Sequence, residues 1–212
     1  MKFNLTLILL VICSLSFSQK RATPDQISTN NGTLTVQPIT HGSVVLTWND
    51  RNIYVDPYGG GALYEGLADP DLILITDIHG DHLNEATLNA LNTSKATLIV
   101  PQAVMDKLPK DMKSKAKVIG NGESTMVQGV NISAIPMYNL PEDETSRHTK
   151  GRGNGYILTM GGKKVYFSGD TEDIPEMRAL SGIDVAFVCM NLPYTMDINQ
   201  AADAVLDFKP AI

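Results

Sequence analysis

The chain's chemistry concentrates in Thr76-Asp77-Ile78-His79-Gly80-Asp81-His82, which follows directly on the apolar run Leu72-Ile73-Leu74-Ile75. A branched apolar run that gives way to Asp, His, Asp and His reads as a buried strand opening into a polar loop. Alternate side chains of extended backbone share a face, so Asp77, His79 and Asp81 are expected on one side, with His82 arriving as the chain turns toward a helix. Gly80 is expected to permit the sharp turn between the two ligand pairs. Carboxylate and imidazole donors suit zinc, iron or manganese, and the loop holds no thiolate to favour copper or an iron–sulfur cluster. The plainer reading is a helix entry capped by Asp81, with two histidines that only satisfy loop hydrogen bonds. Two of the chain's 4 histidines fall in this short stretch, flanked by carboxylates, and that concentration argues for a metal loop.

One loop cannot complete a metal centre, so further donors are sought at later strand ends. His148 lies in Ser146-Arg147-His148-Thr149-Lys150-Gly151, just before the strand pattern Asn154-Gly155-Tyr156-Ile157-Leu158, and Asp170 ends Val165-Tyr166-Phe167-Ser168 in a Gly169-Asp170-Thr171 turn. Taken singly, His148 also reads as a loop histidine and Asp170 as a turn residue bonding its own backbone.

Asp77-Ile78-His79-Gly80-Asp81-His82 resembles the His-x-His-x-Asp-His signature of the metallo-β-lactamase-fold hydrolases, with Asp in place of the first His. Ser168-Gly169-Asp170-Thr171 resembles that family's bridging-Asp motif, and His41-Gly42-Ser43 resembles the Gly-His-Ala/Ser start of its ascorbate-phosphate lactonase-like branch. The resemblance implies two divalent metal ions, zinc first, with iron or manganese as alternatives because the Asp77 oxygen is a harder donor than imidazole. It implies that Asp77, His79, His148 and Asp170 hold metal one, and that Asp81, His82 and Asp170 hold metal two. Asp170 and Asp81 are then the catalytic residues: Asp170 bridges the metals, and Asp81 binds metal and orients the water. A metal-bridged hydroxide would attack an ester, lactone, amide or phosphodiester in a small-molecule substrate. Asn191 and Tyr194 fall where the site walls are built and are the substrate-binding candidates, while Asp56 resembles the family's early structural Asp beneath the metal loop. His41 reads as a supporting or structural histidine. Arg147, Lys150 and Arg152 could draw an anionic substrate, against the plain reading of a solvated charged loop.

The family's last ligand, a His beyond the final helix, has no counterpart, because no His follows His148 and the sequence reaches Phe208-Lys209-Pro210-Ala211-Ile212 as a strand begins. The expectation is a piece of a longer chain whose last strand or strands lie past Ile212; the alternative is a second metal with fewer ligands. Three functions are compatible with these residues: a metal-dependent hydrolase, a di-iron redox protein, and a non-catalytic metal-binding or scaffold protein with a degenerate site. The hydrolase accounts for most of the motif.

The elements that must position these residues alternate in character. Hairpin patterns run from Thr33 to Val55 about His41-Gly42 and Asn49-Asp50, and strand–helix alternation follows from Leu72 to Ile119. Hairpins return from Ser124 to Phe167, then come a buried strand from Ile183 to Met190 and a last helix capped by Asp197 or Asn199 and running through Phe208. This order predicts an α+β fold in which two sheets pack face to face with helices outside. The resemblance implies the same four-layer αβ/βα sandwich, spanning residues 33–212.

At 212 residues, 43% hydrophobic and 19% charged, the composition is that of one globular domain. A net charge of −6 makes nucleic acid and anionic membrane surface poor partners. Met1-Lys2, the apolar run from Leu5 to Leu15 and the small residues up to Ser18 have the parts of a secretory signal peptide, too short an apolar run to span a bilayer comfortably. Residues 1–18 are therefore expected to be removed on export, to periplasm or medium, and residues 19–32 to form a solvated tether. Cys13 raises a lipoprotein reading, but Ile12 before it is larger than that processing accepts. The remaining cysteine, Cys189, then has no disulfide partner and is expected as a small buried side chain.

Overall fold

The computed structural model describes residues 21–212; the expected signal peptide and Cys13 lie outside the described residues. A seven-stranded sheet takes its strands in chain order: β1 (Asp25–Thr29), β2 (Gly32–Thr40), β3 (Ser43–Trp48), β4 (Arg51–Val55), β5 (Leu72–Leu74), β6 (Thr97–Val100) and β7 (Ala116–Val118). The second sheet, of five strands, is ordered β12 (Val185–Phe187), β11 (Lys163–Phe167), β10 (Gly153–Met160), β9 (Val130–Met137) and β8 (Ser124–Val127). Strands β1–β4 are antiparallel, whereas β4–β5–β6–β7 are parallel; α1 (Glu85–Ala90) joins β5 to β6, and α2 (Gln102–Lys107) and α3 (Lys110–Lys113) join β6 to β7.

Alternation along the strands builds the layers. Ile53, Val55, Leu72 and Leu74 face the second sheet and meet Ile132, Tyr156, Leu158 and Phe167 in the central core. Their neighbours Tyr54, Ile73 and Ile75 point the other way, onto Leu88, Val104 and Met112 of the first helical layer. Such strands are buried on both faces, which is why Leu72-Ile73-Leu74-Ile75 is apolar throughout instead of alternating. The outer face of the second sheet, through Tyr166, is covered by α4 (Pro175–Arg178) and α5 (Ile198–Phe208), with Met177, Ala204 and Phe208 inward. The α+β four-layer sandwich anticipated from the pattern is thus present.

Helix caps follow the sequence. Asn84 accepts a hydrogen bond from the Thr87 N–H at 2.9 Å, and Asp197 closes a capping box with Gln200 at the start of α5. One expectation needs correction: within the anticipated tether, residues 25–29 pair with β2 as an edge strand. The pairing places Trp48 Nε1 within 3.1 Å of the Thr29 hydroxyl, a contact that composition could not reveal. At the other end, residues 211–212 lie along β12, with the Ala186 N–H donating to the Ile212 carbonyl at 2.9 Å.

Candidate metal centre

The loop after β5 carries four of the six expected ligands, and its hydrogen bonds decide how they divide. The His82 and Leu83 N–H groups both donate to the His79 carbonyl, at 3.0 and 2.8 Å, so the backbone turns immediately after His79. Extended alternation therefore ends there. Asp77 and His79 join His148 in one cluster, while Asp81 crosses to a second cluster with His82 and Asp170; within each, one donor atom per residue lies within 4.8 Å of the others. The expectation that Asp81 shares a face with Asp77 and His79 is corrected by that turn. Gly80 is not what makes it: its φ is not positive and a Cβ there would meet nothing within 4 Å. The demanding glycine is Gly169, at φ +61°, where a Cβ would lie 2.6 Å from Met137 Sδ. Gly169 thereby lets the end of β11 deliver Asp170.

Asp170 joins the clusters. Its Oδ2 lies 3.3 Å from His82 Nε2 and 3.3 Å from His148 Nε2. His79 Nδ1 lies 2.7 Å from Asp77 Oδ2, and His82 Nε2 lies 3.9 Å from Asp81 Oδ2. The nitrogens His79 Nδ1, His82 Nε2 and His148 Nε2 are buried without a hydrogen-bond partner, although carboxylate oxygens stand this near. Proximity without hydrogen-bond alignment is how ligands sit around a shared cation. Donors about 2.0–2.1 Å from a tetrahedral zinc would stand about 3.3–3.4 Å from each other. The two 3.3 Å separations at Asp170 match that spacing, and with three partnerless buried nitrogens beside carboxylates the residues present fit a metal group.

Two of the three rings, those of His82 and His148, are oriented from behind. His82 Nδ1 lies 2.8 Å from Asp56 Oδ2, and Asp56 also accepts the Thr76 N–H and hydroxyl, at 2.8 and 2.5 Å. His148 Nδ1 lies 3.1 Å from Asn139 Oδ1, and Asn139 Nδ2 donates to the Tyr194 carbonyl at 2.9 Å. Fixing the outer nitrogen in this way sets which nitrogen is offered inward. His41 Nε2, 3.1 Å from Asp81 Oδ2, supports Asp81 in the same manner. Burial opposes charge on His82, yet Asp56 and Asp170 outweigh it and raise its pKa well above the usual value. Burial would raise the Asp170 carboxyl, but the facing His148 and His82 rings hold it well below the carboxylate range. His79 is lowered, first by burial, and further by Arg152, Arg147 and His148 against the opposing Asp77.

Beside the centre, a cleft of about 250 Å³ opens, lined by Val44, Val55, Phe167 and Phe187 and also by Asp170 and Asn191. Asn191 thus lines the cleft. Tyr194, the other expected substrate contact, is not among the residues lining the cleft; it is 42% exposed, with the Arg147 guanidinium 4.3 Å above its ring. Cys189 also lines the cleft, and burial raises its pKa, so it is not poised as a nucleophile. The basic loop is less free than its sequence implied. Lys150 is held by Glu142 and Glu176 at 2.9 and 3.1 Å and Arg152 by Asp77, while Arg147 stacks over the Tyr194 ring. Asn139 was not foreseen, since a lone Asn ahead of Leu140-Pro141 carries no motif.

The sequence model of the Beta-lactamase superfamily domain matches residues 35–212. The chain belongs to the beta-lactamase superfamily. Within it, a metal-dependent hydrolase of Pyrococcus abyssi is 31% identical over 169 residues, 76% of this chain and 74% of that protein. A crystal structure from Parabacteroides distasonis, of a protein assigned as a metal-dependent hydrolase, superposes with a TM-score of 0.80 at 40% identity, covering 89% of this chain and 84% of the other. The metallo hydrolase Igni18 of Ignicoccus hospitalis superposes with a TM-score of 0.69 at 23% identity, covering 84% and 79%, a likeness of fold. The αβ/βα sandwich described above is accordingly the metallo-β-lactamase fold.

Proposed function

We propose that the protein is an exported metal-dependent hydrolase that holds two divalent ions, zinc first, and opens an ester, lactone, amide or phosphodiester bond in a small molecule. One observation carries the reading: three buried ring nitrogens, His79 Nδ1, His82 Nε2 and His148 Nε2, have no hydrogen-bond partner and converge with carboxylates. Bound divalent ions would bring the pKa of a coordinated water toward about 7 and polarise the attacked oxygen. The rest falls to this chain's residues. Asp170 Oδ2, 3.3 Å from both His82 Nε2 and His148 Nε2, would be shared between two seats, the first of which Asp77, His79 and His148 would hold. Asp81, steadied by His41, completes the second with His82 and stands where it can orient the attacking water. The apolar walls of the cleft favour a substrate with a hydrophobic portion, and Asn191 offers an amide to its developing negative charge. Membership of a family whose relatives are named metal-dependent hydrolases supports the reaction class. Export is supported by the charged, apolar and small-residue order of residues 1–18. Among the described residues no helix is long and apolar enough to cross a membrane.

The test is to strip the purified protein with a chelator, restore it with zinc, iron or manganese, and assay a panel of lactones, phosphodiesters, esters and β-lactams. Turnover that is lost on stripping, returns with metal and disappears in His79→Ala is expected. Metal binding with a visible iron band and no hydrolysis would instead favour a redox role. Folding unchanged by metal, with no turnover, would overturn the enzyme reading.

A further inference from the structure

Asp77 occupies the place where the family motif has a neutral imidazole, and the structure shows what accompanies the change. The Asp77 side chain is fully buried, and Arg152, in the turn before β10, grips it as a fork: Nε to Oδ1 at 3.1 Å and Nη2 to Oδ2 at 2.9 Å. The same Oδ2 is the oxygen 2.7 Å from His79 Nδ1 and 4.0 Å from His148 Nε2. Asp77 is therefore shared, with Arg152 on its outer side and the first seat on its inner side. A guanidinium stays protonated at any working pH, so the pair sums to no net charge, as an imidazole would. A cation entering this seat meets a carboxylate already compensated, with a like charge directly behind it.

We propose that Arg152 sets the strength of the first metal seat by holding Asp77 as a resident counter-ion, so that the seat formed by Asp81, His82 and Asp170 fills first and the seat formed by Asp77, His79 and His148 fills second. This rests on the metal reading of those residues. Arg152 is a positioning residue that acts through Asp77, and its removal frees both carboxylate oxygens for the ion while withdrawing the repulsion. A purely structural Arg152 would give the opposite sign, because a loosened Asp77 would bind metal less well.

The experiment is a zinc titration of the metal-stripped protein against a chromophoric competitor, resolving two binding steps, with melting followed in parallel. In Arg152→Gln the weaker step should tighten at least tenfold and the stronger step should stay within about threefold. The stripped variant should melt lower than the unaltered protein, since its buried carboxylate has lost its cation, and zinc should raise its melting temperature by a larger increment. Arg152→Lys keeps the charge without the fork and should leave the weaker step within about threefold; a tenfold tightening there would overturn the role given to charge. In Asp77→Asn/Arg152→Gln the gain should vanish, and its persistence would overturn the route through Asp77. An Arg152→Gln variant that binds zinc as the unaltered protein does, or more weakly, overturns the inference while leaving the metal centre intact. An unaltered protein that binds no zinc overturns the metal reading itself.

Discussion

Asp56→Asn tests how far the centre depends on residues that touch no metal. Asp56 uses Oδ1 for the Thr76 N–H and Oδ2 for both the Thr76 hydroxyl and His82 Nδ1, at 2.8, 2.5 and 2.8 Å. Asparagine keeps the shape but offers one oxygen. With that oxygen at the Oδ2 position, the amide NH2 faces the Thr76 N–H. In the flipped orientation it faces His82 and the Thr76 hydroxyl. Either way a buried donor loses its acceptor, and His82 loses the negative charge that most strongly offsets its burial. Hydrogen bonds to a charged group contribute about 1.5–3 kcal/mol, so the variant should be destabilised by roughly that amount. Removing the outer partner of a ligating histidine costs about 10–100-fold in metal affinity, or about 1.4–2.7 kcal/mol. The loss should fall on the His82 seat. Competitive zinc titration together with chemical denaturation would read both numbers. Zinc affinity within twofold of the unaltered protein at both steps would refute the idea that Asp56 acts through His82.

Other outcomes follow from the same structure. Gly80→Ala should fold and bind zinc normally, whereas Gly155→Ala should be destabilised by about 1–3 kcal/mol, because its Cβ would lie 2.8 Å from the Ser168 carbonyl and 2.9 Å from that of Phe167; denaturant midpoints distinguish them. Asn139→Ala should weaken zinc at the His148 seat by about 10–100-fold, since it frees the outer nitrogen of that ring; competitive titration reads it. Burial alone would raise the Asp71 carboxyl, but the Asn52 N–H and the Lys95 ammonium outweigh it and lower its pKa. Its contribution is therefore complete above the unfolded carboxylate pKa of about 3.9 and is lost as pH falls through the lower folded value. Asp71→Asn should be less stable at pH 7 by about 1–3 kcal/mol and should lose less on acidification below about pH 4, as urea unfolding across pH would show.

The fold was largely legible because the apolar pattern changes period where the architecture does. The doubly buried Leu72-Ile73-Leu74-Ile75 marks the parallel strands, and the alternating hairpins on either side of the helical stretch mark the two sheets. The candidate ligands are legible as residue types at strand ends, and the structure gathers the same residues into two clusters, Asp170 included. What the sequence concealed depends on long-range contact. Arg152 reads as a free cation until the sandwich closes it onto Asp77, across a separation of 75 residues. Residues 25–29 look like a polar tether because an edge strand half-open to solvent needs little apolar content. Gly80 reads as permitting a turn that needs no glycine, whereas Gly169 is demanding through its φ of +61° and because Met137 of β9 and the Asn154 carbonyl of β10 crowd it.

Anomalous diffraction from crystals grown with zinc would test the centre most directly. Two peaks about 3.5–4 Å apart are expected. One should be ligated by His79 Nδ1 and His148 Nε2, the other by His82 Nε2 and Asp81, with Asp170 between them. Zinc bound elsewhere, with those three nitrogens left unligated, would contradict that assignment.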